Sequence, residues 1–240
     1  YNRVDLYLKF EQIITDEQLA SFRSMIKRRL AGEPFQHIIG KGSFYGRDFI
    51  VNSDVLVPRP ETELIINRLM KKDPSLYLMD IGTGSGCIAI TCVLENLSKN
   101  VYATDISLNA LKIAKQNAKL FGLSSIKFSQ HDFLNQNFTR KFDVVVSNPP
   151  YIESNKIHEL PIEVRNHEPK IALTDNSDGL TFYRRFANIF FDLLKNDGYL
   201  ILEIHGSEKI HEIKKIFNTA KLQVDFIKDL QNDYRIVEVF

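Results

Sequence analysis

Two short stretches of this sequence carry residue types suited to chemistry: Asn148-Pro149-Pro150-Tyr151 and Asp80-Ile81-Gly82-Thr83-Gly84-Ser85-Gly86. In the first, consecutive prolines fix the backbone and remove its donors, leaving carbonyls as the main-chain hydrogen-bonding groups. Asn148 adds a side-chain carbonyl and an NH2, and Tyr151 a flat ring able to stack on a planar group. Such residues also make a fair strand-ending turn. Their position after a fourth strand, behind a glycine-rich first turn, favours a site. In the second stretch, glycines let the backbone turn sharply and approach a ligand closely. Twenty-five residues after Asp80 stands Asp105, at the end of the next strand. A carboxylate there can accept both hydroxyls of a ribose. The pair indicates a nucleoside ligand.

The glycine spacing narrows the nucleoside. It is G-x-G-x-G, with Cys87 where a dinucleotide fingerprint has its third glycine, and no Gly-Lys-Ser/Thr forms a phosphate loop. This suits S-adenosylmethionine better than NAD or ATP. Asp132 and Phe133 follow the third strand, where an acid can meet the adenine amino group and a ring can cover the base. The same places suit an ordinary loop acid and a buried Phe, and position does not separate the two readings. Cys87 and Cys92 form no paired-Cys metal motif and read as small buried hydrophobes. The six histidines show no metal or triad spacing, and His131 beside Asp132 reads as incidental. No metal is expected.

Such residues need a frame to hold them. Apolar β-formers mark strands at 76–81, 101–106, 126–130, 142–147, 199–204, 222–228 and 235–240. Helical stretches fall at 87–97, 108–121, 180–194 and 208–220. The alternation predicts an α/β fold with a mostly parallel sheet covered on both faces, and ligands bind at the carboxyl edge of such sheets. Only residues 229–234 separate the last two strands, which permits an antiparallel hairpin but no crossover helix.

Ahead of the sheet, residues 1–33 read as a helical segment. Thr15 and Gln18 have capping-box spacing. Leu19, Phe22, Ile26 and Leu30 then follow at helical intervals. Lys27, Arg28 and Arg29 suit the helix dipole at the C-terminal end better than they suit an RNA contact. Residues 34–60 read as a β-hairpin linker, with Phe35, Ile38, Ile39, Phe44, Phe49, Val51, Val55 and Val57 interrupted by Gly40, Gly42 and Gly46. A helix is expected over 61–72, opening a catalytic domain at 61–240.

Composition bounds the function. Of 240 residues, 44% are hydrophobic and 25% charged, which excludes disordered, collagen-like and coiled-coil chains. Lys plus Arg is 31 against 30 Asp plus Glu, so the formal charge of +1 argues against a strongly basic nucleic-acid binder. No apolar run approaches the roughly 20 residues that span a bilayer, and no signal peptide is visible. A reduced, cytoplasmic setting without membrane attachment is expected. The first residue is Tyr1, so the helical segment is expected to be incomplete, beginning inside a longer natural chain.

Asp80–Gly86 with Asn148-Pro149-Pro150-Tyr151 resembles the class I methyltransferases that act on planar amino or amide nitrogens. Pro58-Arg59-Pro60-Glu61-Thr62-Glu63, Gly32-Glu33-Pro34, Glu168-Pro169, Ala172-Leu173 and Asp178-Gly179-Leu180 narrow this. Together they resemble the HemK/PrmC-type protein-(glutamine-N5) methyltransferases of peptide chain release factors. The resemblance implies a Rossmann-like, seven-stranded sheet behind a small helical domain, and a monomer that meets its protein substrate transiently. It implies that Gly82, Thr83, Gly84, Ser85, Gly86, Asp105, Phe133 and Asn148 hold S-adenosylmethionine, converted to S-adenosylhomocysteine. It implies that Asn148, Pro149, Pro150 and Tyr151 hold the glutamine of a Gly-Gly-Gln motif, with Asn148 and Tyr151 serving catalysis. No motif assigns a base. A nucleic-acid adenine or guanine N-methyltransferase is the alternative, since the same four residues can hold a flipped base. Two stretches depart from the family: Glu203-Ile204-His205-Gly206 where it often has Glu-Ile-Gly, and 229–235, which lacks a glycine.

Overall fold

The computed structural model describes residues 3–240. Tyr1 and Asn2, part of the expected helical segment, lie outside them. Helices α1 (Arg3–Leu8) and α2 (Asp16–Leu30) open the chain. The capping box forms: the Gln18 amide donates to Thr15 Oγ1 at 3.2 Å, and the Thr15 amide to Gln18 Oε1 at 3.0 Å. None of the α2 side chains is buried. Residues 35–39 correct the expectation of a strand. They form a short helix, α3 (Phe35–Ile39), because Pro34 pre-sets its entry and Gly40, at φ 71°, ends it in the left-handed conformation.

The hairpin is therefore shorter than the sequence suggested, with β1 (Lys41–Phe44) pairing antiparallel with β2 (Arg47–Ile50). Tyr45 and Gly46 both have positive φ at the turn, the geometry that matches strand twist in two-residue hairpins. Phe44 and Phe49 are fully buried and join the core beside Ile65, Ile66 and Ile90. A single 3-10 turn at Pro60–Thr62 leads into α4 (Glu63–Leu69).

The body then alternates: β3 (Ser75–Ile81), α5 (Cys87–Leu94), β4 (Ser98–Asp105), α6 (Leu108–Leu120), β5 (Lys127–Gln130) and β6 (Phe142–Ser147). A long crossover carries a 3-10 turn at Ser154–Glu159, α7 (Ile162–His167) and α8 (Lys170–Leu173) before α9 (Thr181–Leu193). The chain ends with β7 (Leu194–Glu203), α10 (Ile210–Thr219), β8 (Val224–Lys228) and β9 (Tyr234–Val239). The seven strands lie in the order β5-β4-β3-β6-β7-β9-β8, with β9 antiparallel to both neighbours, as expected.

Two cores follow from the period-2 alternation of buried strands. Leu78, Val144, Val146, Ile201 and Ile236 face the hairpin, α4 and α5. Met79, Val145, Leu200, Leu202 and Val237 face α9 and α10, where Tyr183, Phe186, Phe190 and Phe217 fill the space. Cys87 and Cys92 are buried, unbonded thiols in the first of these cores. Because β3 and β6 are adjacent, the two chemistry-bearing stretches leave the sheet side by side. Among the described residues no helix is long and apolar enough to cross a membrane.

Candidate active site

The glycine turn leaves β3 with Gly82 at φ 73° and Gly84 at φ 54°. A Cβ built on either would meet nothing within 4 Å, so this backbone fronts open space and a ligand can lie against it. Gly86 does something else. A Cβ there would press on Ala114 and Ile90 at 3.1 Å, so this glycine lets α6 pack closely and is not part of the cavity wall.

Side chains beneath the turn hold its shape. Asp105 accepts from the Gly84 amide through Oδ2 and from the Ser107 amide through Oδ1, both at 2.9 Å. Asp80, with no exposed surface, accepts from the Thr83 hydroxyl at 2.7 Å and the Ala89 amide at 3.2 Å, both on Oδ2. Its Oδ1 has no partner, and burial pushes its pKa up to about 7. Asn117 of α6 donates to the Ser85 carbonyl at 2.8 Å and exchanges two bonds with the main chain of Ile50.

A cavity of about 270 Å³ opens over this turn. Of the sequence-predicted cofactor residues, Gly82, Thr83, Gly84, Ser85, Asp105, Phe133 and Asn148 line it. Phe133 combines the two readings left open by position. It is buried, stacked near-parallel on Phe182 at 5.9 Å and tilted on Phe186 at 4.4 Å, and it also lines the cavity. Asp132 and His131 line it too, and the His131 ring stacks on Phe138 at 4.0 Å.

A second cavity adjoins the first, walled by Tyr151, Ile152, Leu160, Leu173 and His205. Leu56, Arg59, Asn148 and Ala172 line both. The two cavities therefore meet at Asn148. The wall is clamped where Arg59 Nη2 sits 2.7 Å from each carboxylate oxygen of buried Glu168, joining the Pro58-Arg59-Pro60 and Glu168-Pro169 stretches. Burial raises the Glu168 pKa and the Arg59 charge opposes that.

Two residues that sequence reasoning gave no role stand behind Asn148 and Tyr151. Asn148 Nδ2 donates to Thr62 Oγ1 at 3.2 Å, and the Thr62 hydroxyl donates to Glu203 Oε2 at 2.6 Å. The Tyr151 hydroxyl lies 3.4 Å from Glu203 Oε1. Glu203 is buried, which pushes its pKa up to about 7. A single acid at the end of the apolar run Leu200-Ile201-Leu202 was the available signal, because a buried carboxylate needs partners. The Tyr151 ring lies 5.5 Å from that of His205, nearly parallel at 9°. Pro149 lines neither cavity with its side chain, whereas Pro150 lines the first. Gly179, at φ 75°, has the Tyr151 carbonyl where a Cβ would stand. Among the described residues no group of three His, Cys, Asp or Glu is set to hold a metal ion.

The chain is 40% identical over 247 residues to a protein named release factor glutamine methyltransferase from Bacillus subtilis, covering 98% of this chain and 85% of that one. The chain belongs to the release factor glutamine methyltransferase family. A relative of the same name from Chlorobaculum tepidum is 37% identical, over 95% of this chain and 81% of its own. The family described as PrmC N-terminal domain matches residues 1–40, and that described as Methyltransferase small domain matches residues 60–164. Among solved structures, a methyltransferase from Pyrococcus furiosus matches with a TM-score of 0.61 at 18% identity, over 94% of this chain and 98% of that one. The hMettl16 catalytic domain matches with a TM-score of 0.64 at 16% identity, over 81% and 75%. These two likenesses are of fold. In the release factor glutamine methyltransferase frame, Asn148 to Tyr151 stand at the carboxyl end of a central strand.

Proposed function

We propose that this chain methylates the side-chain amide nitrogen of the glutamine in the Gly-Gly-Gln motif of peptide chain release factors, with S-adenosylmethionine as donor and S-adenosylhomocysteine as product. The observation that carries the reading is the junction of two cavities at Asn148, one over a glycine turn and one beside Tyr151. The cofactor side fits the group. Gly82 and Gly84 leave backbone bare toward the cavity, Asp105 stands where ribose hydroxyls would be accepted, and Phe133 offers a ring for the base. Bound S-adenosylmethionine supplies an electrophilic methyl group on a sulfonium whose leaving form is a neutral thioether.

The chain's own residues then do the positioning. A glutamine amide nitrogen is a poor nucleophile, because its lone pair is delocalised into the carbonyl. Asn148 Oδ1 and the Pro149 carbonyl would accept hydrogen bonds from the two amide N–H groups, fixing the direction in which the nitrogen faces; as the N–C bond forms and the S–C bond breaks, one of these protons is lost to solvent. The Tyr151 ring, lying near-parallel to that of His205, would hold the amide plane. Such placement is worth up to about 7–11 kcal/mol in favourable intramolecular cases. Residues 61–240 are assigned the catalytic role, with 1–33 and the 34–60 linker, which holds α3 and the β1–β2 hairpin, ahead of them, in a monomer that binds its substrate transiently.

The test is transfer of a tritiated methyl group to purified release factor, followed by mass mapping. Label on the Gly-Gly-Gln glutamine, lost in its Gln→Ala variant, is expected. Full labelling of that variant would refute the assignment, and labelling of RNA or DNA instead would favour a nucleic-acid amino group as acceptor.

A further inference from the structure

Asn148 can serve this reaction in only one of two orientations. Its side-chain amide is nearly symmetrical in shape, and a half-turn exchanges the carbonyl oxygen for the NH2. An incoming glutamine NH2 is recognised by the oxygen and repelled by the nitrogen. Something must therefore fix which end faces the substrate.

Thr62 touches both Asn148 Nδ2, at 3.2 Å, and Glu203 Oε2, at 2.6 Å. A hydroxyl has one proton to donate, and an ionised carboxylate has none. Above the raised pKa of about 7, where Glu203 is ionised, the Thr62 proton is thus committed to it, and only lone pairs remain for Asn148. Lone pairs attract Nδ2 and reject Oδ1. The far oxygen of the same carboxylate faces the Tyr151 hydroxyl, and the Tyr183 hydroxyl donates to the Glu203 main-chain carbonyl at 2.7 Å. One buried acid so reaches two of the three residues that would touch the substrate amide, Asn148 and Tyr151. Other charged groups facing it are Glu61, which opposes its ionisation, and Arg235, which favours it.

We propose that Glu203, acting through Thr62, is a positioning residue that sets the polarity of Asn148 so that its carbonyl oxygen faces the substrate amide. This rests on the reading that Asn148 receives a glutamine side chain. The consequence for an isostere is specific. In Glu203→Gln, the orientation that keeps the Tyr151 hydroxyl donating to the side-chain oxygen turns the new NH2 toward Thr62, which frees the Thr62 proton for Asn148 Oδ1. The Asn148 amide then turns over and presents its NH2 to the substrate.

The experiment compares wild type with Glu203→Gln, Thr62→Val and Thr62→Ser. It measures kcat and KM on release factor, cofactor affinity by calorimetry, and the Asn148 side-chain NH2 resonances, assigned through Asn148→Asp. Glu203→Gln and Thr62→Val are expected to lower kcat/KM by about tenfold or more, with cofactor affinity within about threefold of wild type. Thr62→Ser keeps the hydroxyl and is expected to retain wild-type kcat/KM. The Asn148 NH2 protons should exchange faster with solvent in Thr62→Val than in wild type. Wild-type kcat/KM in Thr62→Val, an equal loss in Thr62→Ser, or an unchanged Asn148 NH2 signature in both Thr62→Val and Glu203→Gln would overturn the proposal. A wild-type protein inactive on release factor would refute the substrate reading, while the resonances would still decide the relay.

Discussion

Replacing Asp80 by Asn isolates the electrostatics beneath the glycine turn. Both of its hydrogen bonds fall on Oδ2, so an Asn can keep them with its carbonyl oxygen and place its NH2 where Oδ1 has no partner. The substitution removes a charge and leaves buried N–H donors without an acceptor, which offsets part of the gain by about 1–3 kcal/mol. Burial raises the carboxyl from its ordinary 3.8 to about 7, and the nearby Asp105 charge pushes the same way. At 1.36 kcal/mol per unit, roughly three units correspond to about 4 kcal/mol. The folded pKa lies above the unfolded one, so the folded chain binds the extra proton between those values. Wild-type stability should therefore fall as pH rises from about 4 to about 7 and then level off. Between about pH 4 and about pH 8 the Asp80→Asn protein should gain up to about 4 kcal/mol on wild type, from less stable at the acid end to more stable at the alkaline end. Glu203, raised from 4.5 to about 7, leaves a residual slope in both. Urea denaturation across this range measures the difference. Parallel pH profiles for the two proteins would refute the reasoning.

Three further perturbations address separate parts of the site. Asn148→Ala should lower kcat about 100-fold through lost placement of the amide, with the cofactor dissociation constant little changed; equal losses in both would show that its role is misassigned. Asp105→Ala leaves the Gly84 and Ser107 amides without their acceptor and should weaken cofactor binding by about 10- to 100-fold, from one or two charge-assisted hydrogen bonds, as read by calorimetry. Gly179→Ala puts a Cβ into the Tyr151 carbonyl at a positive φ; it should cost about 1–3 kcal/mol of stability in thermal melts and raise KM for release factor by displacing Tyr151.

What the sequence made legible follows the range of the forces involved. Strands such as Phe142–Ser147 are apolar runs bounded by turn residues, and that pattern survives whatever surrounds it. The glycine turn and Asn148-Pro149-Pro150-Tyr151 were legible because backbone constraint is written in residue type. Residues 35–39 misled, since Phe35, Ile38 and Ile39 satisfy a strand or a helix and only Pro34 and Gly40 decide. The crossover at 152–180 gave no periodicity because α7 and α8 have only six and four residues, too few to repeat a pattern. The Thr62–Glu203 bond joins positions 141 apart in the chain, and no local pattern records such a pairing.

Asn117 gives the hairpin a relation to the nucleotide end that neither stretch of sequence announces. One amide grips the Ile50 main chain with two bonds and the Ser85 carbonyl with a third. A force that tilts the front of the molecule must either strip the Ile50 bonds or pull on the turn that fronts the cavity. Were a ligand on the turn to stiffen the hairpin through these bonds, reciprocity would require a protein docked on the hairpin to alter the grip on that ligand by the same factor.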